Sequence, residues 1–161
     1  MKTFNKDFFN LNNFISFQKK FSFNPTDTQR LVGHVCYNVN EPFIPIMGTS
    51  LVSIIQNNPD MAFVFHIFTD GFSEQSENYI SQFAQKFHCT CILYILNMEP
   101  FDDFHIKVAR FSRITYGRLY MPKVLKNITS RFIYVDADAM CVNSYMSCGL
   151  WTWMERQWER F

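Results

Sequence analysis

The sequence predicts one α/β domain built on an open, mostly parallel sheet with flanking helices. Nearly unbroken apolar runs of strand length recur at 61–68, 90–96 and 131–135, as expected of parallel strands covered on both faces. Stretches with apolar residues at helical spacing alternate with them, at 43–56 and 73–87. Strand, helix, strand, helix, strand is the order of a parallel sheet joined by right-handed crossovers. The 161 residues, 48% apolar with 19 Phe, suffice for one compact core, and no internal repeat divides them.

Residues 1–31 mix Phe, Asn and Lys without a clear period. They read as a peripheral hairpin or irregular arm that ends in the turn-forming run Asn24-Pro25-Thr26-Asp27. The core region then spans 32–141. Gly33 to Tyr37 forms a short strand that runs into the polar turn 38–42. A helix over 43–56 sets Ile44, Met47, Leu51, Ile54 and Ile55 on one face. Asn57-Asn58-Pro59-Asp60 stops it, because Pro cannot continue a helix and Asn tolerates a left-handed conformation. After the strand at 61–68, Ser73-Glu74-Gln75-Ser76-Glu77 has the acidic character of a helix start, and Tyr79, Ile80, Phe83, Ala84 and Phe87 follow at helical spacing. A further amphipathic stretch at 108–121 precedes the fourth strand, 131–135, a buried strand that ends directly in Asp136-Ala137-Asp138. Residues 142–161 form an atypical tail that holds all three Trp.

Several functional classes are excluded or disfavoured. A net charge of +1 with no sustained basic run leaves nucleic-acid binding without an electrostatic footprint. The N-terminus has no long apolar signal region, and no run approaches the roughly 18 apolar residues of a spanning helix; a cytoplasmic protein follows. The five cysteines, at 36, 89, 91, 141 and 148, lack C-x-x-C spacing and read as reduced thiols on core strands. The four histidines (34, 66, 88 and 105) show no H-x-x-x-H spacing and read as structural. With five glycines and no phosphate-binding loop of the G-x-G-x-x-G or Walker type, a nucleotide needs another means of offsetting its diphosphate charge.

In open α/β sheets, ligands sit at the carboxyl ends of the strands near a switch in strand order. Two polar sites fall there, the turn at 38–42 and the carboxylates at 136 and 138. On an extended strand residues i and i+2 project to one side, so Asp136 and Asp138 can reach one divalent cation, Mg²⁺ or Mn²⁺, that bridges to diphosphate oxygens. An isolated D-x-D is equally a strand-end turn. Arg118 could hold a phosphate bidentately or form a surface salt bridge. A phosphoryl-transfer domain using the same Asp pair is a weaker alternative.

Four ordered blocks then resemble the family 8 retaining glycosyltransferases, in particular the bacterial lipopolysaccharide core glucosyl- and galactosyltransferases. They are HVCYNVNEPFIPIMGTSLVSIIQNNPD at 34–60, FVFHIFTDGFSE at 63–74, ITYGRLYMPKVL at 114–125 and FIYVDADAMC at 132–141. The resemblance implies a GT-A fold of which this chain carries the nucleotide-sugar-binding half. It also implies a UDP-sugar donor, UDP-glucose or UDP-galactose, and a lipopolysaccharide core acceptor at the cytoplasmic face of the inner membrane, with peripheral association there. Asp136 and Asp138 would ligate the metal, and the backbone at Asp136 and Ala137 would lie along the nucleotide. Asn38, Val39 and Asn40 would hold uracil and ribose, with Arg118 near the donor diphosphate. Where relatives have an Asp and then an Asn in the first turn, this chain has Asn40 and Pro42. The family continues well past the D-x-D strand, with acceptor residues and a metal-binding His that residues 142–161 do not resemble. The expectation is a reading frame interrupted after about residues 141–145, and a truncated, vestigial nucleotide-binding protein as the alternative to an active transferase.

Overall fold

The computed structural model describes residues 14–23, 30–102 and 112–145. The three Trp of the tail, His105, Cys148 and the first part of the 108–121 stretch lie outside them. Among the described residues five strands form one sheet: β1 (Ile15–Ser22), β2 (Leu31–Asn38), β3 (Met61–Thr69), β4 (Thr90–Leu96) and β5 (Ile133–Tyr134). Their spatial order is β1-β4-β3-β2-β5. The β2–β3, β3–β4 and β2–β5 pairs are parallel, and β1 runs antiparallel to β4 at the far edge. The crossovers carry α1 (Ile44–Asn57) and α2 (Glu74–Lys86), and a short α3 (Met121–Leu125) precedes β5.

Pleating sends alternate residues to opposite faces, and each face has its own core. On one, Val35, Tyr37, Phe63, Phe65, Ile67 and Leu93 meet Ile44, Met47, Leu51 and Ile54 of α1 and Ile80 and Ala84 of α2. On the other, Cys36, Phe68, Tyr94 and Leu96 are covered by Phe14, Phe101, Ile114, Tyr120 and Leu125. Each large apolar side chain so buried contributes about 1.5–3 kcal/mol relative to exposure. The second face also holds a polar chain: the His34 and His66 rings meet at 3.0 Å, and His66 Nδ1 lies 3.0 Å from the Tyr94 hydroxyl. Cys36, Cys89 and Cys91 are buried free thiols.

The parallel strands, α1 and α2 follow the sequence expectation to within about two residues at each end, and four details differ. Residues 15–22 are an edge strand rather than a hairpin or irregular arm. A β-bulge between Ile15 and Phe17 flips the pleat, so Ile15 packs on one core and Phe21 on the other, which hides the period. Tyr79 is exposed and Ile55 only partly buried. Asn58 ends α1 without a left-handed backbone, at φ −138°; its amide instead donates to Ile54 O at 2.8 Å. The described part of the 108–121 stretch is a 3₁₀ segment, Arg113–Leu119, leading into α3. Among the described residues no helix is long and apolar enough to cross a membrane.

Candidate functional site

From β2 the chain proceeds through β3 and β4 to one side, and β5 is laid down on the other. The sheet therefore changes direction between β2 and β5, where an open α/β sheet forms a crevice beyond its strand ends. The register pairs Cys36 with Tyr134, and Val135 N continues the ladder to Cys36 O at 3.0 Å. Carried one step further, this brings the start of the Asp136-Ala137-Asp138 motif alongside the end of β2 at Asn38. The two polar sites expected from sequence thus lie side by side at the carboxyl ends of β2 and β5, where the general rule puts a ligand crevice.

The motif does not lie on a strand. The fourth strand was expected over 131–135 as a buried strand, but β5 has two residues, both only half-buried, since it pairs only with β2 among the described residues. The chain then enters a turn in which Ala139 N donates to Asp136 O at 3.0 Å. Alternation along an extended strand is therefore not what relates Asp136 to Asp138; the turn is. Both side chains are exposed, whereas Val135 and Ala137 pack against the helix-side core. The segment that follows is pinned to the end of α1. Cys141 N donates to Ser53 Oγ at 2.9 Å, Asn57 Nδ2 donates to Cys141 O at 2.9 Å, and Asn58 Oδ1 accepts from Tyr145 N at 2.7 Å and Ser144 Oγ at 3.2 Å.

Arg118 reaches this turn. Its guanidinium stacks over the Tyr134 ring, 4.8 Å from the centroid, while Nε donates to Thr115 O at 3.0 Å. The Tyr134 hydroxyl donates to Asp136 Oδ1 at 2.7 Å. Burial first, then this carboxylate partner, push the Tyr134 phenol well above its ordinary range, with Arg118 opposing. Gly117 lets the arginine-bearing segment approach: a Cβ there would lie 2.6 Å from Leu96 Cδ1 and 2.9 Å from Asn38 Oδ1.

On the other wall, Asn38 does not turn its amide nitrogen to the crevice but donates it to Ile114 O, tying β2 to the 3₁₀ segment. Its buried Oδ1 has no partner among the described residues. The Val39 side chain is buried and its N donates to Phe68 O at 2.9 Å. Asn40 caps the Glu41–Phe43 turn through its carbonyl, with Phe43 N at 3.0 Å, and its side chain makes no cap bond. Pro42 sits in the first turn of that segment, where a missing N–H costs nothing. Glu41, which sequence reasoning passed over, accepts from Ser73 N at 2.7 Å and Ser76 Oγ at 2.9 Å. Those bonds from Ser73 and Ser76 hold its carboxyl below the usual range and clamp the 38–42 turn to the start of α2.

The two exposed aspartates are hard oxygen donors of the kind Mg²⁺ and Mn²⁺ take. Among the described residues no group of three His, Cys, Asp or Glu could hold a metal without help. Two carboxylates alone are too few to enclose such a cation, which takes six or more oxygen ligands. A separate cavity of about 290 Å³, lined by Arg30, Ile55, Met61, Phe63, Phe87 and Cys89 among others, lies at the amino ends of β3 and β4, opposite this crevice.

The fold is an α/β domain whose polar turns lie at a sheet switch point. The family model for glycosyl transferase family 8 matches residues 34–153, and the chain belongs to that family. It is 25% identical over 111 residues to the lipopolysaccharide 1,3-galactosyltransferase of Salmonella typhimurium, covering 69% of this chain and 33% of that protein. With the lipopolysaccharide glucosyltransferase WaaO of Escherichia coli K12 it shares 24% identity over 131 residues, 81% of this chain and 37% of the relative. The chain thus spans about a third of the length of these relatives. The crystal structure of the galactosyltransferase LgtC, solved with donor and acceptor sugar analogs, superposes with a TM-score of 0.61 at 20% identity, covering 71% of this chain and 41% of that one. The fold is that of the GT-A glycosyltransferases.

Proposed function

We propose that this chain supplies the donor-nucleotide side of a hexosyltransferase that moves glucose or galactose from its UDP-sugar to a lipopolysaccharide core saccharide with retention of configuration. The observation that carries this reading is the convergence of the Asp136–Asp138 turn and Arg118 at the switch point, joined through Tyr134. Asp136 and Asp138 would hold Mg²⁺ or Mn²⁺. When bound there, the cation supplies Lewis-acid stabilisation of the charge that develops on the departing diphosphate. Arg118 adds a second positive charge for the same oxygens. The turn at Asn38, Val39 and Asn40, held by Glu41, offers backbone groups and the Asn40 amide to the uracil and ribose. Ala137 keeps the Asp136–Ala137 backbone clear for the nucleotide, and an acceptor on the cytoplasmic face of the inner membrane implies peripheral association there.

Calorimetry of UDP binding with and without Mn²⁺, paired with hydrolysis assays on UDP-glucose and UDP-galactose, tests the reading. Mn²⁺-dependent UDP binding that disappears in Asp136→Ala and Asp138→Ala is the expected result. Binding without turnover supports instead a non-catalytic nucleotide-binding protein. No UDP binding in either condition sinks both.

A further inference from the structure

Asp136 lies just past a two-residue strand, exposed and in a turn. A carboxylate so placed is free to rotate unless something holds it. Tyr134 is the group that does. Two residues earlier on the same side of the chain, it packs against the second-face core, and its hydroxyl donates to Asp136 Oδ1 at 2.7 Å. Oδ2 is left without a hydrogen bond from any described residue. A phenylalanine would fill the same space in the core, so packing does not account for the hydroxyl. The ring has a second role: the Arg118 guanidinium lies 4.8 Å above it, within the range of a cation–π contact. With Nε tied to Thr115 O, the terminal nitrogens of Arg118 have no partner among the described residues.

Resting on the donor-site reading above, we propose that Tyr134 is the positioning residue of that site. Its hydroxyl fixes Asp136 through Oδ1 and leaves Oδ2 for a divalent cation, and its ring seats the Arg118 guanidinium over its face. Carboxylate ligands are commonly oriented by a hydrogen-bond donor behind them, and loss of such a partner typically lowers metal affinity about 10–100-fold. One aromatic side chain thereby sets the spacing between the metal-binding carboxylate and the phosphate-binding arginine.

The test uses the full chain, with UDP and Mn²⁺ as probes, and compares Tyr134→Phe, Tyr134→Leu and Arg118→Ala with the parent. Calorimetric UDP titrations at a series of Mn²⁺ concentrations give two numbers, the Mn²⁺ needed for half-maximal binding and the UDP affinity at saturating Mn²⁺. Electron paramagnetic resonance of free Mn²⁺ measures metal binding directly, and thermal melts check folding. Tyr134→Phe keeps the ring and loses the hydroxyl. It should raise the Mn²⁺ requirement about 10-fold or more while leaving the UDP affinity at saturation near that of the parent. Tyr134→Leu should also weaken that affinity, by about as much as Arg118→Ala, and combining the two should be no worse than either alone.

A Tyr134→Phe variant with the parent's Mn²⁺ requirement overturns the inference and leaves the donor-site reading standing. So does a loss of UDP affinity that is equal at every Mn²⁺ concentration, which would place the phenol against the nucleotide. If Tyr134→Leu does not fold, the Phe variant still decides. A parent chain that binds no UDP with Mn²⁺ removes the donor-site reading, and this inference falls with it.

Discussion

Strands β3 and β5 belong to one sheet but are held in different ways. β3 has nine residues, is hydrogen-bonded to a parallel neighbour on each edge, and buries all but Ala62 and Val64. β5 has two residues, pairs with β2 alone among the described residues, and is half-buried throughout. The first is secured by apolar area and ladder hydrogen bonds. The second depends on side chains: Tyr134 on Asp136, Arg118 on Tyr134, and Ser53, Asn57 and Asn58 on residues 141–145. Proteins place binding elements where local opening costs least, and here the Asp turn sits on the weaker side. Stability and chemistry should therefore separate by mutation.

The sharpest separation compares Phe65 with Asp136. Phe65 is fully buried between β3 and the helix-side core, so Phe65→Ala should cost about 3–5 kcal/mol, read as the shift of the urea midpoint. Asp136→Ala removes an exposed carboxylate and the acceptor of the half-buried Tyr134 hydroxyl and should cost only about 0.5–1.5 kcal/mol, while Mn²⁺-dependent UDP binding is lost. If Asp136→Ala unfolded the chain to the same extent as Phe65→Ala, the division between the two regions would be wrong.

Asn58 joins the two regions. It is 2% exposed, and its one amide caps α1 through Ile54 O while receiving Tyr145 N and Ser144 Oγ. Asn58→Ala removes the acceptor of the part-buried Tyr145 N–H and the donor to Ile54 O, a cost of about 1–3 kcal/mol. Its local signature is faster hydrogen exchange at Tyr145 and Cys141, with β3 and β4 still protected. Uniformly faster exchange across the sheet would mean that the docked segment is part of the core rather than an appendage.

What was legible in the sequence follows the same division. β2, β3 and β4 and the two long helices are written in local pattern, because a strand covered on both faces must be apolar at nearly every position. β1 escaped because the bulge at Ile15–Phe17 reverses the pleat at its start and Lys19 takes an inward-side place, ion-paired with Glu77. β5 is shorter than its apolar run because cover and partners, not composition, decide where an edge strand ends. At the site, Asp136, Asp138 and Arg118 could be picked out as charged groups near strand ends. Tyr134, Glu41 and Asn58 could not, since their roles rest on contacts with residues distant in sequence or on a turn that sequence read as strand. Tyr134 left one trace, a polar hydroxyl two residues before the first Asp in the otherwise apolar run Phe132-Ile133-Tyr134-Val135.

The smallest effect concerns the stable region, where His66 is the one fully buried histidine among the described residues. It lies between His34 and Tyr94, and its pKa is pushed down to about 3 by burial, with His34 adding to the effect. Burial lowers that of His34 as well. The folded state thus keeps His66 neutral where the unfolded chain, titrating near 6.5, takes up a proton. Stability supported by the neutral ring is complete above about pH 7 and falls as the pH drops through 6.5 toward 3. By pH 5.5 the unfolded state has gained most of one proton at this site, worth about 1 kcal/mol. Glu41, whose carboxyl is depressed from 4.5, contributes only at lower pH and does not confuse this window. Urea midpoints at pH 7.5 and 5.5 should show the loss in the parent, and His66→Gln, less stable at pH 7.5, should show a smaller one. An equal loss in both would assign the acid sensitivity to groups other than His66 and leave the burial of its uncharged imidazole without thermodynamic consequence.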